Sequence, residues 1–223
     1  GYIYGLSLAK GLIESGQVKN VLLLTAETYS KYIHKKDYAV KPLFGDAATA
    51  TLISASELKD DGIQGFVFGT DGSGFGNLIV PVGGMKKPYN NVLEEYTDSN
   101  GNIRSNCNLY MNGSAISDFA LEVVPQAVNK ILANCNMNKA DIDYYVFHQA
   151  NKFMLDFLQQ KCGLMEYSFW NDVKEYGNTV SNSIPLALYD LIRNNEVNRL
   201  EKVMLVGFGV GLSWAGCIAN LKK

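Results

Sequence analysis

The chain has 223 residues, 47% of them apolar, and a formal net charge of −2. That length can bury the core of one large domain or two small ones, and the scattered charges leave no basic stripe for a nucleic-acid backbone. The four cysteines, Cys107, Cys135, Cys162 and Cys217, stand far apart with no CxxC pair, and with only two histidines they make no structural zinc site; a reducing, cytoplasmic setting fits them.

Residues 5–27, GLSLAKGLIESGQVKNVLLLTAE, read as an amphipathic helix, a turn at Ser15-Gly16-Gln17 and a strand. A second apolar strand pattern follows at Ala47 to Ser54 (AATATLIS). Between them His34, among the lysines and tyrosines of YSKYIHKKDY, reads as a solvated surface residue. The glycines of GTDGSGFG (69–76) and the pair Gly83-Gly84 read as turns; a phosphate cradle would end in GKS or GKT. Residues 86–108 are polar and read as a surface excursion. From Ser114 to Asn134 the apolar residues Ile116, Phe119, Ala120, Val123, Val124, Ala127, Val128, Ile131 and Leu132 recur at helical spacing, with Pro125 placed to bend the helix.

Tyr144 to Phe147 form a strand pattern that ends at His148, and KFMLDFLQQK then opens a helix. The stretch from Val203 to Leu221 is uncharged and approaches the length of a membrane span. Its four glycines argue instead for two buried strands joined through a glycine turn, so no membrane span is expected. The opening GYIYGLSLAKGL lacks the basic lead of a signal peptide.

The chain also resembles itself. Residues 183–209 repeat the helix–turn–strand pattern of the start: Leu12-Ile13 matches Leu191-Ile192, Val18 matches Val197, and Val21 to Leu24 matches Val203 to Val206. Each copy continues into a second apolar strand. The repeat predicts two similar halves, each a buried, mostly parallel sheet covered by helices, in an α/β arrangement. The second copy is preceded by EYGNTVSNS, where Asn178, Thr179 and Ser181 suit a helix N-terminus. No such preamble stands before the first copy, so the sequence is expected to begin inside a structural unit.

Three places carry potential chemistry. His148 lies at the carboxyl end of a strand, where ligands gather in open α/β sheets, and is read either as a catalytic group or as a packed core ring. Asn178 is either a plain cap or a partner in the same site. The turn Phe208-Gly209-Val210-Gly211 offers backbone N–H groups suited to an oxyanion, or is a tight turn only. None of the four cysteines has an activating setting.

FHQAN (147–151), YGNTVSNSIPLAL (176–188) and GFGVGLSWAG (207–216), with FGDAATATLISAS (44–56), resemble the signatures of the β-ketoacyl-[acyl-carrier-protein] synthase III family of the thiolase-like superfamily. The resemblance implies a layered αβαβα fold of two pseudo-repeated halves, the first incomplete: residues 1–85, an excursion at 86–108, and residues 109–223. It implies a decarboxylative Claisen condensation of an acyl thioester with malonyl-carrier protein, as in fatty-acid synthesis. His148 and Asn178 would donate hydrogen bonds to the thioester carbonyl, the neutral histidine through a protonated Nε2. Asn151 would support them from behind, and Gly209-Val210-Gly211 would supply a backbone amide to the oxyanion at the acylated cysteine.

That cysteine is expected two residues ahead of Gly1, outside these residues. Lys152 is the candidate for carrier docking, with Phe153 standing where many relatives place an arginine, and Val210 replaces the middle glycine of a common triplet. The same resemblance implies no bound cofactor or metal, acyl-CoA and the phosphopantetheine of malonyl-carrier protein as substrates, acyl carrier protein as partner, and a cytoplasmic homodimer. Two alternatives remain open at this level: an acyltransferase or specialised-pathway synthase of the same fold, and a non-catalytic half that pairs with a nucleophile-bearing chain.

Overall fold

The computed structural model describes residues 1–56, 62–89, 94–194, 197 and 199–221. In chain order the elements are α1 (Tyr2–Glu14), β1 (Asn20–Glu27), β2 (Ala47–Ser54), β3 (Ile63–Thr70), the short strands β4 (Leu78–Ile79), β5 (Glu95–Thr97), β6 (Ile103–Ser105) and β7 (Tyr110–Met111), then α2 (Gly113–Asn134) and β8 (Tyr144–Phe147). They continue with α3 (Lys152–Lys161), β9 (Phe169–Trp170), α4 (Val173–Tyr176), α5 (Ser183–Arg193), β10 (Val203–Gly209) and β11 (Ser213–Ala219).

Both copies of the repeat form the expected elements: α1, β1 and β2 in the first, α5, β10 and β11 in the second. Their helices bury the same kind of stripe, Tyr2, Ile3, Leu6 and Ala9 in α1 and Ile184, Ala187, Leu188 and Leu191 in α5. The principal sheet has the order β3-β11-β10-β8-β9. β8 runs parallel to both β10 and β9, whereas β11 is antiparallel to both β10 and β3. The sheet is therefore mixed, not mostly parallel, because a glycine turn allows β11 to fold straight back on β10, whereas a parallel neighbour needs a long crossover. β3 lies early in the chain yet joins this sheet through β11.

Helices cover both faces of the sheet. One face packs against α2 and α3, and all nine apolar positions picked out on α2 are buried; the helix runs through Pro125. The other face packs against α1 and α5, which in turn carry the antiparallel pair β1–β2 on their far side. The order of layers is thus helix, sheet, helix, two-stranded sheet. β10 and β11 are buried nearly throughout, as expected of the uncharged run they come from, and among the described residues no helix is long and apolar enough to cross a membrane.

Two surface expectations are corrected. Residues 90–93 of the excursion lie outside the described residues, but Asn102, Arg104 and Ser105 are buried. Arg104 Nε lies 3.1 Å from Asp37 Oδ2, itself buried, and Nη2 lies 3.0 Å from Asp98 Oδ2. A polar segment can be buried in this way because its charges are paired; removing one member of such a pair costs about 3–5 kcal/mol. His34 is half-buried rather than solvated: its Nε2 lies 3.0 Å from Glu95 Oε1, and its Nδ1 accepts from Lys36 N–H. The first contact ties the lysine-rich segment to the excursion, and the second holds the ring to its own segment.

Candidate active site

His148 follows the last residue of β8, and its N–H donates to Val206 O of β10 at 2.8 Å, so the sheet itself fixes its backbone. The ring meets Phe208 edge-to-face at 5.2 Å between centroids. Its Nδ1 lies 2.6 Å from Ser183 Oγ, at the first residue of α5. Burial lowers the pKa of His148 from 6.5 to about 4, because the packed surroundings disfavour an imidazolium. The ring is therefore neutral near pH 7.

Asn178 reaches the same pocket from the segment before α5. Its N–H donates to Leu43 O at 2.8 Å, and its carbonyl accepts from Gly45 N at 3.0 Å, so Phe44 and Asn178 form a parallel bridge between the two repeats. Two glycines make this close approach possible. A Cβ on Gly45 would lie 2.2 Å from Tyr176 O, and Gly177 has φ +68 with Leu43 O 2.9 Å from where its Cβ would be. The glycines of FGD and YGN are thus parts of one junction.

The side chain of Asn178 is oriented as well. Its Oδ1 accepts from Val180 N at 2.9 Å, which leaves Nδ2 as the donor end, with no hydrogen-bond partner among the described residues. Asn178 is therefore not the cap of α5; it closes the 3-10 turn Val180–Asn182 that precedes it. Val180 has φ 56, unusual for a β-branched residue and worth about 1–3 kcal/mol of local strain. That conformation aims its N–H at Asn178 and its carbonyl at the Ser183 hydroxyl, 2.9 Å away.

The remaining wall comes from β10, the β10–β11 turn, α1 and β1. Gly209 and Val210 line the pocket with Phe208 and Trp214, and the turn is held by reciprocal bonds between Asp71 and Leu212. Glu27, at the end of β1, accepts from Ser181 Oγ at 2.7 Å on the opposite side.

The structure therefore brings His148, Asn178, Gly209 and Val210 together, with Gly211 next in the turn. Asn151 caps α3 through Met154 N at 2.8 Å. Lys152 is exposed and paired with Asp156, beside the exposed and mutually packed rings of Phe153 and Phe157. None of the four cysteines lines the pocket, and burial pushes the Cys162 thiol up to about 12 and that of Cys217 higher still. Among the described residues no three metal-ligating side chains cluster. Ser183 and Val180 had no signal of their own in the sequence: serine in such a preamble reads as a cap, and a β-branched residue gives no hint of a left-handed backbone.

A mixed sheet between helical layers, repeated helix–strand–strand units and a pocket where the repeats meet define an α/β protein of the thiolase-like class. Family models described as 3-oxoacyl-[acyl-carrier-protein (ACP)] synthase III and its C-terminal part match residues 1–72 and 132–221. The chain belongs to the 3-oxoacyl-[acyl-carrier-protein] synthase III family.

It is 35% identical to the β-ketoacyl-[acyl-carrier-protein] synthase III of Lactococcus lactis subsp. lactis (strain IL1403), over 99% of this chain and 65% of that protein. The corresponding enzyme of Clostridium perfringens is 34% identical, over 99% and 65% respectively. A crystal structure of a 3-oxoacyl-(acyl-carrier-protein) synthase III superposes with a TM-score of 0.96 at 48% identity, over 99% of this chain and 66% of that one. The priming β-ketosynthase of the R1128 polyketide pathway superposes with a TM-score of 0.81 at 29% identity, over 100% and 63%. The chain thus spans less than two thirds of the length of these relatives.

Proposed function

We propose that this chain supplies the decarboxylation half of a 3-oxoacyl-[acyl-carrier-protein] synthase III-like condensing site. The observation that carries this reading is the pairing of a pinned amide donor, Asn178 Nδ2, with the neutral His148 ring in one pocket. A malonyl thioester bound there loses its carboxylate as CO2. The electron pair of the broken C–C bond passes to Cα and onto the thioester oxygen, and fixed donors in a desolvated pocket stabilise that charge better than water does. The resulting carbanion attacks an acyl thioester, forming a C–C bond and releasing a thiolate.

Gly209-Val210-Gly211 supplies backbone N–H groups to the acyl thioester, and Asn151 holds the start of α3 beside His148. The acylated cysteine of this reaction is none of the four in the chain: none of them lines the pocket, and burial disfavours the thiolates of Cys162 and Cys217. Acyl-CoA and the phosphopantetheine arm of malonyl-carrier protein are the substrates, with carrier docking beside Lys152, and two copies associate in the cytoplasm as a symmetric dimer. Likeness to a priming ketosynthase, together with Phe153 beside Lys152, supports a second reading, a specialised-pathway synthase with different carrier contacts.

The test is release of CO2 from malonyl-CoA or a malonyl-carrier protein by the 223-residue chain. His148→Ala and Asn178→Ala are each expected to lower the rate by about a hundredfold, the scale of losing one donor to an oxyanion. Unchanged release in both variants would remove the decarboxylation role.

A further inference from the structure

Gln149 is buried beside His148 but does not line the pocket. β8 pairs with β9 in parallel as far as Val146 opposite Trp170, and the next rung of that ladder would run from the Asp172 N–H to Phe147 O. The side-chain amide of Gln149 stands in that place. Its Nε2 donates to Phe147 O at 2.7 Å, and its Oε1 accepts from the Asp172 N–H at 2.7 Å. Nε2 also faces Trp170 O at 3.5 Å. The amide has one orientation, because turning it over would set its oxygen against two carbonyls and its NH2 against another N–H.

The two ends of this rung lead to the two polar residues of the site. Phe147 precedes His148, whose N–H is held by Val206 O and whose carbonyl accepts from Ala150 N–H at 3.0 Å in a tight turn. Asp172 opens the four-residue helix α4, which runs directly into Gly177 and Asn178. One amide is thus bonded both to the strand that ends at the ring and to the helix that ends at the asparagine. Leu43 O and Gly45 N hold Asn178 from the first repeat, and Gln149 ties its segment to His148 within the second.

We propose that Gln149 is a positioning residue, whose inserted amide sets the spacing and direction of His148 and Asn178 without itself touching the substrate. The place needs a donor for Phe147 O and an acceptor for the Asp172 N–H. A carboxylate there keeps the acceptor but turns an oxygen on Phe147 O, whereas a carboxylic acid supplies both, through its O–H and its carbonyl oxygen. The placement rests on geometry; only its consequence for the rate rests on the proposed decarboxylation.

The experiment compares the wild-type chain with Gln149→Met and Gln149→Glu from about pH 9 to about pH 5.5, a range in which His148 stays neutral. It reads the 15N resonances of the His148 ring and of the Asn178 side-chain amide, identified with His34→Gln and Asn178→Ala, together with CO2 release from malonyl-CoA. Asp172 and its neighbour Asp190 are present in all three chains, so differences between them belong to position 149.

Gln149→Met is expected to displace both sets of resonances at every pH and to lower kcat about tenfold, with KM changed by less than about twofold. Gln149→Glu is expected to resemble the methionine variant near pH 9 and to return to wild-type resonances and rate on acidification, as the buried carboxylate takes up a proton. Wild-type resonances in Gln149→Met, or a Gln149→Glu chain that stays displaced at every pH, overturn the proposal. Should the methionine variant not fold, the return of the glutamate variant on acidification decides alone. Resonances that return in chains that release no CO2 count against the reaction alone, and full release by Gln149→Met counts against the positioning alone.

Discussion

Along β10, Val203, Met204, Leu205 and Val206 are all fully buried, whereas their counterparts in β1, Val21 to Leu24, alternate between half-buried and exposed. Leu22 is 60% and Leu24 65% exposed, and Leu52 of the neighbouring β2 is 67% exposed. The two copies share a pattern of residues but not a setting. β10 is covered by α2 on one face and by α1 and α5 on the other, while among the described residues β1–β2 is covered only on the side of α1 and α5. An unbroken apolar run therefore records a strand that suits cover on two faces, and it does so whether or not this chain provides both. The outward leucines form an apolar patch of the kind that marks an interaction surface.

The contrast can be broken most sharply at paired leucines. Leu205→Ala, inside the doubly covered strand, is expected to cost about 2–5 kcal/mol in urea unfolding. A cost below about 1 kcal/mol would show that β10 is not the packed centre described above.

A second effect lies where the repeats meet. Because the folded-state pKa of His148 is about 4 against 6.5 in an unfolded chain, the unfolded state binds the extra proton between those values. Stability is full above pH 6.5 and is lost as pH falls toward 4, by at most about 3 kcal/mol. Comparing pH-dependent unfolding of the wild-type chain with His148→Gln isolates this contribution, and parallel curves would argue against a buried neutral ring.

Asn182 sharpens the comparison at the same seam. It is fully buried, accepts from Thr25 Oγ1 at 2.7 Å and donates to Ala47 O at 3.0 Å, so it joins α5 to both strands of the first copy. Asn182→Ala is expected to cost about 1–3 kcal/mol by calorimetry, because it strands polar groups on the first copy. The smallest effect belongs to the exposed leucine: Leu24→Ala should change stability by no more than about 0.5 kcal/mol in the isolated chain. A loss comparable to that of Leu205→Ala would mean that the outer face of β1 is covered in solution, and sedimentation of the same sample would show by a second copy or not.

Much of the architecture was legible because it rests on local periodicity. The nine apolar positions of α2, the two helix–strand–strand copies and the hairpin of β10 and β11 all follow from spacing that a single element imposes. What escaped depends on pairing at long range. Nothing around β3 announces that it will lie against β11, and the polar sequence near residue 100 gives no sign that Arg104 is buried with Asp37. The site divides in the same way: His148, Asn178 and the glycine turn stand in short recognisable motifs, whereas Ser183 and Val180 acquire their parts only from the fold of the preamble around them.

The bridge between Phe44 and Asn178 joins positions roughly 130 residues apart, and closing so long a loop carries an entropic cost that local helices do not meet. Pairings of this kind slow a folding chain. The pocket therefore belongs to the last stage of assembly: α2 can form from its own neighbours, but the surroundings of His148 and Asn178 are complete only when the two ends of the chain have found each other. Refolding followed at these two residues should consequently lag behind the recovery of helix.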